Sequence, residues 1–319
     1  MEKEYDIVAM GELLIDFTPA GVSETGMCLY ERNPGGAPVN MLTAAAEAGL
    51  RTAFIGKVGN DMHGKFLIEA VENQNINSDG IILDDNVFTT LAFVNLTKDG
   101  ERSFAFARKP GADTMIGYKE VDTELLQNTK VFHVGSLSLT DEPARSTTFQ
   151  AVKCAKNAGA VISYDPNYRA PLWNNEKTAI ERMRSMLPFA DMIKLSDEET
   201  ALLTPYENPD EAANYLLDHG IKIVAVTLGK EGVLICNRKD HQKVSGFSSQ
   251  VVDTTGAGDS FWGGFMSQFV KSKLNPEDCS IEELKKFARY GNAVASLCIE
   301  KKEEYCRFLK KKKLLNVYS

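Results

Sequence analysis

The chain has 319 residues, of which 43% are hydrophobic, and a formal net charge of −8 with a pI near 5.2. That length can hold one large α/β domain or two smaller ones. The acidic charge argues against nucleic acid or an anionic membrane as a partner. No apolar run reaches the roughly 18 residues that a membrane span needs, and the N-terminus lacks a signal-peptide pattern. These features predict a cytoplasmic protein.

The first third of the chain alternates strand and helix patterns. Strands are predicted at 5–10, 52–58 and 80–83, with 13–17 continuing the first, and helices at 41–48 and 62–75. This βαβαβ order indicates a mostly parallel sheet covered by helices. Asp16 interrupts an apolar stretch, which suggests a carboxylate at the carboxyl edge of a strand, where open α/β sheets bind ligands. The alternative is an ordinary turn aspartate.

A glycine turn opens the first helix pattern. Residues 33–40 read Asn-Pro-Gly-Gly-Ala-Pro-Val-Asn, so Gly35 and Gly36 precede a helix N-terminus and Asn40 lies in its first turn. An amide at that position can hydrogen-bond a polar ligand. The alternative is a capped helix after ordinary loop glycines.

The pattern changes near residues 89–110. Two segments rich in β-branched and aromatic residues, 89–96 and 102–107, are joined by a turn that contains Asp-Gly. Two strands without a helix between them do not fit the parallel sheet, so we expect a small β-lid whose other strands come from 18–34. Phe104 and Arg108 fall on one face by alternation, where they would cover a sugar or pack in a lid–lid dimer.

Strand and helix patterns alternate again from residue 131. After the strand at 160–164 comes Asp-Pro-Asn-Tyr-Arg, ending at Arg169, which is typical of a site edge or of a turn. After the strand at 191–195 comes Ser-Asp-Glu-Glu, ending at Glu199. These residues are typical of a capped helix N-terminus, and Glu199 could also hold magnesium through water. The turn with Gly229 and Gly232 suits a base, a phosphate or a plain hairpin.

The segment 251–264 reads Val-Val-Asp-Thr-Thr-Gly-Ala-Gly-Asp-Ser-Phe-Trp-Gly-Gly, a strand end, a turn and a helix start. Gly256, Ala257 and Gly258 have almost no side chain, so their N–H groups can converge on an anion at the positive end of the helix. A carboxylate there, Asp259, suits a hydroxyl that must lose its proton to attack a phosphoryl group. The alternative is an acid-capped helix.

These motifs together resemble the PfkB, or ribokinase-like, family of carbohydrate kinases. Residues 35–40 are similar to the first family signature and residues 253–259 to the second. Within the family the chain is most similar to fructokinases, through stretches at 11–17, 100–104, 108–113, 165–169 and 194–199. The resemblance implies a three-layer α/β/α fold with a mostly parallel sheet and a small β-sheet lid. It also implies one kinase domain over residues 1–319, with lid segments near 18–34 and 89–110.

The resemblance further implies transfer of a phosphoryl group from ATP to O6 of D-fructose, assisted by Mg²⁺ and K⁺. Asp259 would be the general base, in an anion hole formed with Gly256, Ala257 and Gly258. The sugar would be bound by Asp16, Gly35, Gly36, Asn40, Phe104, Arg108 and Arg169. The nucleotide would be bound by Lys194, Thr227, Gly229, Gly232 and Asn292. Glu199 matches a magnesium-linked glutamate, and Asp253 and Thr255 match the start of the potassium site.

Other readings of the resemblance concern the substrate and the tail. A 2-keto-3-deoxygluconate kinase or a ribokinase would use the same chemistry, and a sugar- or nucleotide-binding homologue without catalysis is the alternative of another class. After Ile299 the sequence departs from the glycine- and proline-containing loop that is usual in the family.

We also expect a homodimer that forms through the lid, because the β-face of a small lid of this kind exposes apolar side chains.

Overall fold

The computed structural model describes residues 3–96 and 102–300 and contains two separate β-sheets. The strands are β1 (Tyr5–Met10), β2 (Leu14–Val22), β3 (Cys28–Gly35), β4 (Thr52–Gly59), β5 (Ile76–Asp84), β6 (Leu91–Leu96), β7 (Arg102–Ala107), β8 (Thr129–Gly135), β9 (Val161–Asp165), β10 (Met192–Ser196), β11 (Ile223–Thr227), β12 (Val233–Cys236) and β13 (His241–Val244). The α-helices are α1 (Ala37–Glu47), α2 (Met62–Glu72), α3 (Thr123–Gln127), α4 (Ala144–Asn157), α5 (Glu176–Arg184), α6 (Thr200–Leu203), α7 (Pro209–Asp218), α8 (Ala257–Ser272) and α9 (Ile281–Cys298). No helix within these described ranges is long and apolar enough to cross a bilayer.

The main sheet has nine strands in the order β13-β12-β11-β10-β9-β8-β1-β4-β5. Its strands pair in parallel from β11 to β5, and β12 and β13 add an antiparallel edge. Alternate residues of each strand enter opposite cores, as Val8 of β1 joins one apolar cluster and Ile7 the other. Helices α1, α8 and α9 cover one face, and α4 and α7 cover the other. The predicted three-layer α/β/α fold is confirmed.

The second sheet has four strands in the order β3-β2-β6-β7, which confirms the predicted small second sheet. The prediction that residues 13–17 continue β1 is wrong. The chain leaves the main sheet after Met10 and enters the small sheet at Leu14, so Asp16 lies inside β2, opposite Asn33. Both stretches are apolar, and a periodicity of two residues does not reveal a change of sheet.

Helix α8 is fixed to the centre of the molecule by its own small and aromatic residues. A Cβ at Gly263 would lie 2.3 Å from the carbonyl oxygen of Met41, and one at Gly264 would lie 3.1 Å from Cα of Gly291. The helix therefore packs backbone to backbone against α1 and α9. On its other side the indole of Trp262 donates from Nε1 to Ser163 Oγ (2.8 Å) in β9. These contacts set the position of the first turn of α8.

Two buried ionisable side chains lie close to this core. His133 in β8 hydrogen-bonds through Nδ1 to Ser163 Oγ (2.9 Å), and burial, assisted by the charge of Lys194, lowers its pKa to about 3. Glu12, between β1 and β2, accepts a hydrogen bond from Ala37 N (3.0 Å), and burial raises its pKa from an ordinary 4.5 to about 7. The histidine is therefore neutral in the folded chain, and the glutamate is protonated in mild acid.

These two groups have opposite effects on stability as the pH falls. Below about pH 6.5 the unfolded state takes up a proton at His133 that the folded state does not, so stability is lost down to about pH 3. Between about pH 7 and 4.5 the folded state instead binds the extra proton at Glu12, so stability is gained. The two contributions nearly cancel in the range where they overlap.

Replacing one of the two groups should therefore expose the other. With Glu12→Gln, the free energy of unfolding should fall by about 1 kcal/mol per pH unit more steeply than in the wild type between pH 6.5 and 5. Urea unfolding at stepped pH measures this slope. The control His133→Asn should change the slope with the opposite sign, and parallel curves for Glu12→Gln and wild type would contradict the assignment.

Candidate active site

A cavity of about 430 Å³ lies between the small sheet and the carboxyl edge of the main sheet. Its wall combines the start of β2, the N-termini of α1 and α8, strand β7 and the loops after β8, β9 and β10. Of the residues predicted from the sequence, it brings together Asp16, Gly36, Asn40, Phe104, Arg169, Lys194, Glu199, Thr255, Gly256, Ala257, Gly258 and Asp259. Glu12, Leu137 and Asn167 also line it.

Asp259 is held by two amide groups at the wall of this cavity. It lies in the first turn of α8 and is 6% exposed. Its Oδ1 accepts from Asn167 Nδ2 (2.9 Å) and its Oδ2 from Asn40 Nδ2 (3.0 Å). Each carboxylate oxygen keeps a further lone pair for a ligand proton. The two amides thus fix the orientation of the carboxylate without neutralising its charge.

Asn167 belongs to the Asp-Pro-Asn-Tyr-Arg stretch that follows β9, but the sequence motifs do not identify it as a site residue. It is 6% exposed, and its φ of 45° places it in the left-handed region, which asparagine tolerates better than most residues. Its backbone N–H donates to Asp165 Oδ1 (3.2 Å). The signal in the sequence was an amide two residues beyond a strand end, but its partner, 92 residues further along the chain, was not visible there.

A buried ion pair adds a cation to the site. Lys194 Nζ in β10 lies 2.9 Å from Asp165 Oδ2, and both side chains are less than 10% exposed. Burial acts to lower the pKa of Lys194, but the surrounding carboxylates, with Asp165 first, outweigh it and raise that pKa. A Cβ at Gly258 would lie 2.8 Å from Lys194 Nζ. The ammonium therefore sits directly against the first turn of α8, where it adds to the positive end of the helix.

The glycine pair before α1 creates space for other groups. A Cβ at Gly35 would lie 2.1 Å from Asp16 Oδ2, so this glycine makes room for the Asp16 carboxylate and does not itself line the cavity. Gly36 has a φ of 130°, and a Cβ there would lie 2.5 Å from the carbonyl oxygen of Glu12. Both positions require glycine for steric reasons.

Arg108 does not lie on the cavity wall with Phe104, because β7 ends at Ala107 and the alternation stops there. It is 6% exposed, and its guanidinium binds Asp113 Oδ2 through Nε (2.8 Å) and Nη2 (2.6 Å). It also donates to Thr140 Oγ1 (2.8 Å). This arginine is therefore a buried cation that is paired with Asp113. Arg169, by contrast, is exposed at the wall.

Both carboxylate oxygens of Glu199 accept hydrogen bonds from backbone N–H groups. Its Oε2 accepts from Ser196 N (2.8 Å), and its Oε1 accepts from Tyr168 N (2.7 Å). Across residues 3–96 and 102–300, no group of three or more His, Cys, Asp and Glu side chains could hold a metal by itself. Mg²⁺ usually takes one or two carboxylates together with waters and phosphate oxygens. The carboxylates that line the cavity, Asp16, Glu199 and Asp259 among them, are of the type that such a shared site uses.

The residues predicted for the nucleotide, apart from Lys194, form a second group outside the lining of this cavity. Gly229 and Gly232 follow β11, which ends at Thr227, and a Cβ at Gly232 would lie 2.1 Å from the carbonyl oxygen of Val244. Asn292 in α9 donates from Nδ2 to that carbonyl and to the next one (3.0 Å each). Gly232 and Asn292 therefore contact the backbone of Val244 and Ser245, where β13 ends.

Asp253 and Thr255 form a local turn. Asp253 Oδ1 accepts from the N–H and the Oγ1 of Thr255 (2.9 Å each). The backbone N–H groups of Val252 and Asp253 both donate to the carbonyl oxygen of Ile299. The unusual tail, from residue 301 on, lies outside the described residues.

The known proteins that this chain is similar to are carbohydrate kinases. The model of the pfkB family carbohydrate kinases matches residues 5–306. Probable fructokinase-5 of Arabidopsis thaliana is 40% identical over 299 residues, which cover 93% of this chain and 92% of that protein. Fructokinase-2 of Solanum lycopersicum is 40% identical over 299 residues and covers 93% and 90% of the two chains.

Solved structures show the same fold. Fructokinase with bound ATP from Xylella fastidiosa has a TM-score of 0.90 at 29% identity and covers 98% of this chain and 97% of that one. A fructokinase double mutant from Vibrio cholerae, bound to fructose, ADP and potassium, has a TM-score of 0.88 at 28% identity and covers both chains fully. The sequence and the fold agree, and the chain belongs to the pfkB family of carbohydrate kinases, with fructokinases among its relatives.

Proposed function

We propose that the protein transfers the γ-phosphoryl group of ATP to O6 of D-fructose, with Asp259 as general base. The observation that carries the proposal is the Asp259 carboxylate, held by two amides at the positive end of α8 inside a cavity of sugar size. The relatives named fructokinase support fructose as the substrate.

In this mechanism Asp259 accepts the proton of the sugar hydroxyl as that oxygen attacks the phosphoryl group. Asn40 and Asn167 keep the carboxylate pointed at the hydroxyl, which matters because a general base must stay within hydrogen-bond reach. The N–H groups of Gly256, Gly258 and Asp259 and the ammonium of Lys194 stabilise the charge on the phosphoryl oxygens. The N–H of Ala257, predicted to join them, already donates to the carbonyl oxygen of Thr254 (3.2 Å). A fixed positive environment of this kind needs no reorganisation during the transfer.

The remaining predicted residues have supporting roles. Asp16, Gly36 and Asn40 bind sugar hydroxyls, Phe104 covers the ring, and Arg169 closes the rim. The small sheet acts as a lid that excludes water and so suppresses ATP hydrolysis, within a single kinase domain. Thr227, Gly229, Gly232 and Asn292 shape the adenine side.

The acidic residues and the turn at 253–255 fit two cations. Bound Mg²⁺ would neutralise the phosphate oxygens, and K⁺ would stabilise the turn before the anion hole. Glu199 would hold the magnesium through water. Asp253 and Thr255 would supply part of the potassium site.

A neutral sugar fits the site better than a keto-acid. A carboxylate substrate such as 2-keto-3-deoxygluconate needs a free cation in its pocket, but Arg108 is already paired with Asp113. Only the exposed Arg169 remains near the rim among the residues predicted to bind the sugar. The two amides and the helix N-terminus around Asp259 also favour catalysis over a purely binding role.

The first test of the proposal is substrate choice. We expect ADP release with Mg-ATP to be confined largely to fructose when fructose, ribose, glucose and 2-keto-3-deoxygluconate are compared, with and without K⁺. A coupled assay of ADP release measures this. Turnover of another sugar would keep the mechanism but change the substrate, and no turnover in a protein that still binds ATP would contradict the proposal.

The second test is the base itself. Asp259→Asn keeps the shape of the side chain but cannot accept a proton at neutral pH, so kcat should fall by about 10²–10⁴-fold. The matched control is Asp218→Asn, at the exposed end of α7, which should leave kcat unchanged. Near wild-type turnover of Asp259→Asn would remove the residue from its proposed role.

We further propose that the protein is a cytoplasmic homodimer that forms through the lid. The small sheet exposes apolar side chains on both faces: Tyr30 (44%) and Phe93 (37%), whose rings are in contact, lie on one face, and Leu29 (47%) points to the other, with Val22 (68%) at the end of β2. Apolar side chains gathered on one sheet are typical of a protein–protein contact.

A charge placed in this surface tests the dimer. Leu29→Arg should convert the dimer to a monomer, because an unpaired cation is costly in an apolar interface. Light scattering after gel filtration reports the mass. Leu83→Arg, at a similarly exposed leucine of β5 in the main sheet (42%), is the matched control and should stay dimeric. A monomeric wild type would contradict the proposal.

A further inference from the structure

The link between the two sheets packs against the first turn of α1. Residues 11–13 form this link, which connects β1 of the main sheet to β2 of the small sheet. A Cβ at Gly11 would lie 2.8 Å from Pro38 Cγ, and one at Gly36 would lie 2.5 Å from the carbonyl oxygen of Glu12. The link and the start of the helix are therefore in direct contact.

The N-terminus of α1 has few capping groups of its own. Its N-cap residue, Gly36, has no side chain, and Pro38 has no N–H. The N–H of Ala37, the first helical residue, instead donates to Glu12 Oε1 (3.0 Å), 25 residues earlier in the chain. The first N–H groups of a helix need such partners from outside the helix. Glu12 therefore caps α1 from the link between the sheets.

Glu12 is poorly placed to bind a substrate directly, although it lies at the cavity wall. It is 3% exposed, and its Oε2 is buried with no hydrogen bond to the described part of the chain. Its Oε1 already accepts from Ala37. The charged groups that act on it, Arg108 and Asp113, are paired with each other. An effect of Glu12 on the reaction must therefore pass through α1.

The same turn of α1 carries the amide that holds Asp259. The backbone N–H of Asn40 donates to the carbonyl oxygen of Gly36 (3.0 Å), which closes the first turn. The Nδ2 of Asn40 donates to Asp259 Oδ2 (3.0 Å). Because Ala37 and Asn40 lie less than one helical turn apart, a displacement of Ala37 also moves the Asn40 amide.

We infer that Glu12 is a positioning residue for the general base, acting through Ala37 and Asn40 on the Asp259 carboxylate. The inference rests on the proposed role of Asp259. Without an acceptor for Ala37, the first turn of α1 loosens, and Asn40 holds Oδ2 less firmly. Asn167 still holds Oδ1, so the rate of transfer falls but is not abolished.

Two substitutions of similar length separate the hydrogen bond from the shape of the side chain. Glu12→Gln keeps an oxygen that can accept from Ala37, whereas Glu12→Met removes the acceptor. The assay is best run at pH 6, where Glu12 is protonated because burial raises its pKa to about 7, and where the amide is its closest mimic. At saturating fructose and ATP, kcat should stay near the wild-type value with Gln and fall about tenfold with Met, the effect of one lost hydrogen bond. The matched control Asn208→Ala, which removes an exposed cap of α7, should leave kcat unchanged.

Double mutants distinguish positioning from a general loss of stability. In an Asn40→Ala background, Glu12→Met should lower kcat further by less than about twofold, because the amide through which it acts is gone. In an Asn167→Ala background it should again lower kcat by about tenfold, because that amide holds the other oxygen of Asp259. The same loss in both backgrounds would overturn the inference. Wild-type kcat in Glu12→Met, or equal losses with Met and Gln, would do so too.

Hydrogen exchange tests the inference without relying on turnover. The amides of residues 36–41 should exchange faster in Glu12→Met than in Glu12→Gln or the wild type, and Asn208→Ala should not change them. Unchanged exchange elsewhere in the chain shows that the variants are folded. Unchanged exchange at 36–41 in Glu12→Met would overturn the inference even in an active enzyme. Faster exchange there in a chain without turnover would support the cap and count against the proposed kinase activity alone.

Discussion

The site depends on placing a carboxylate at the positive end of a buried helix and keeping it there. Asp259 would be free to turn towards the N–H groups of its own helix, but Asn40 and Asn167 each hold one of its oxygens. These two amides belong to α1 and to the loop after β9. The orientation of the Asp259 carboxylate is therefore a property of three elements, all anchored on the same face or edge of the main sheet.

That arrangement requires α8 itself to be immobile. Gly263 and Gly264 allow its backbone to approach α1 and α9, and Trp262 fastens it to β9. A side chain at either glycine would push the first turn of α8 away from its partners. Gly263 and Gly264 thus serve packing, whereas Gly256 and Gly258 line the cavity at the N-terminus of α8.

Two buried basic residues near the cavity, Lys194 and Arg108, are both paired but have different surroundings. Lys194 is paired with Asp165 yet stays next to Gly258, while Arg108 is buried and paired with Asp113 outside the cavity wall. The two pairs look alike in the sequence, as a basic residue near a strand end. Their different surroundings place Lys194 against the first turn of α8 and leave Arg108 as a buried partner of Asp113.

The sequence by itself determined the layered α/β fold, the small second sheet, the family and most of the cavity wall, because hydrophobic periodicity and glycine-rich turns are local properties of the chain. It did not reveal that Leu14 starts a strand of another sheet, that Arg108 is buried in an ion pair, or that Asn167 holds Asp259. Each of these depends on a partner distant in sequence, 92 residues away for Asn167 and Asp259. Only the tertiary structure decided them, because the pairing of distant groups follows from how the layers pack and not from the order of residues.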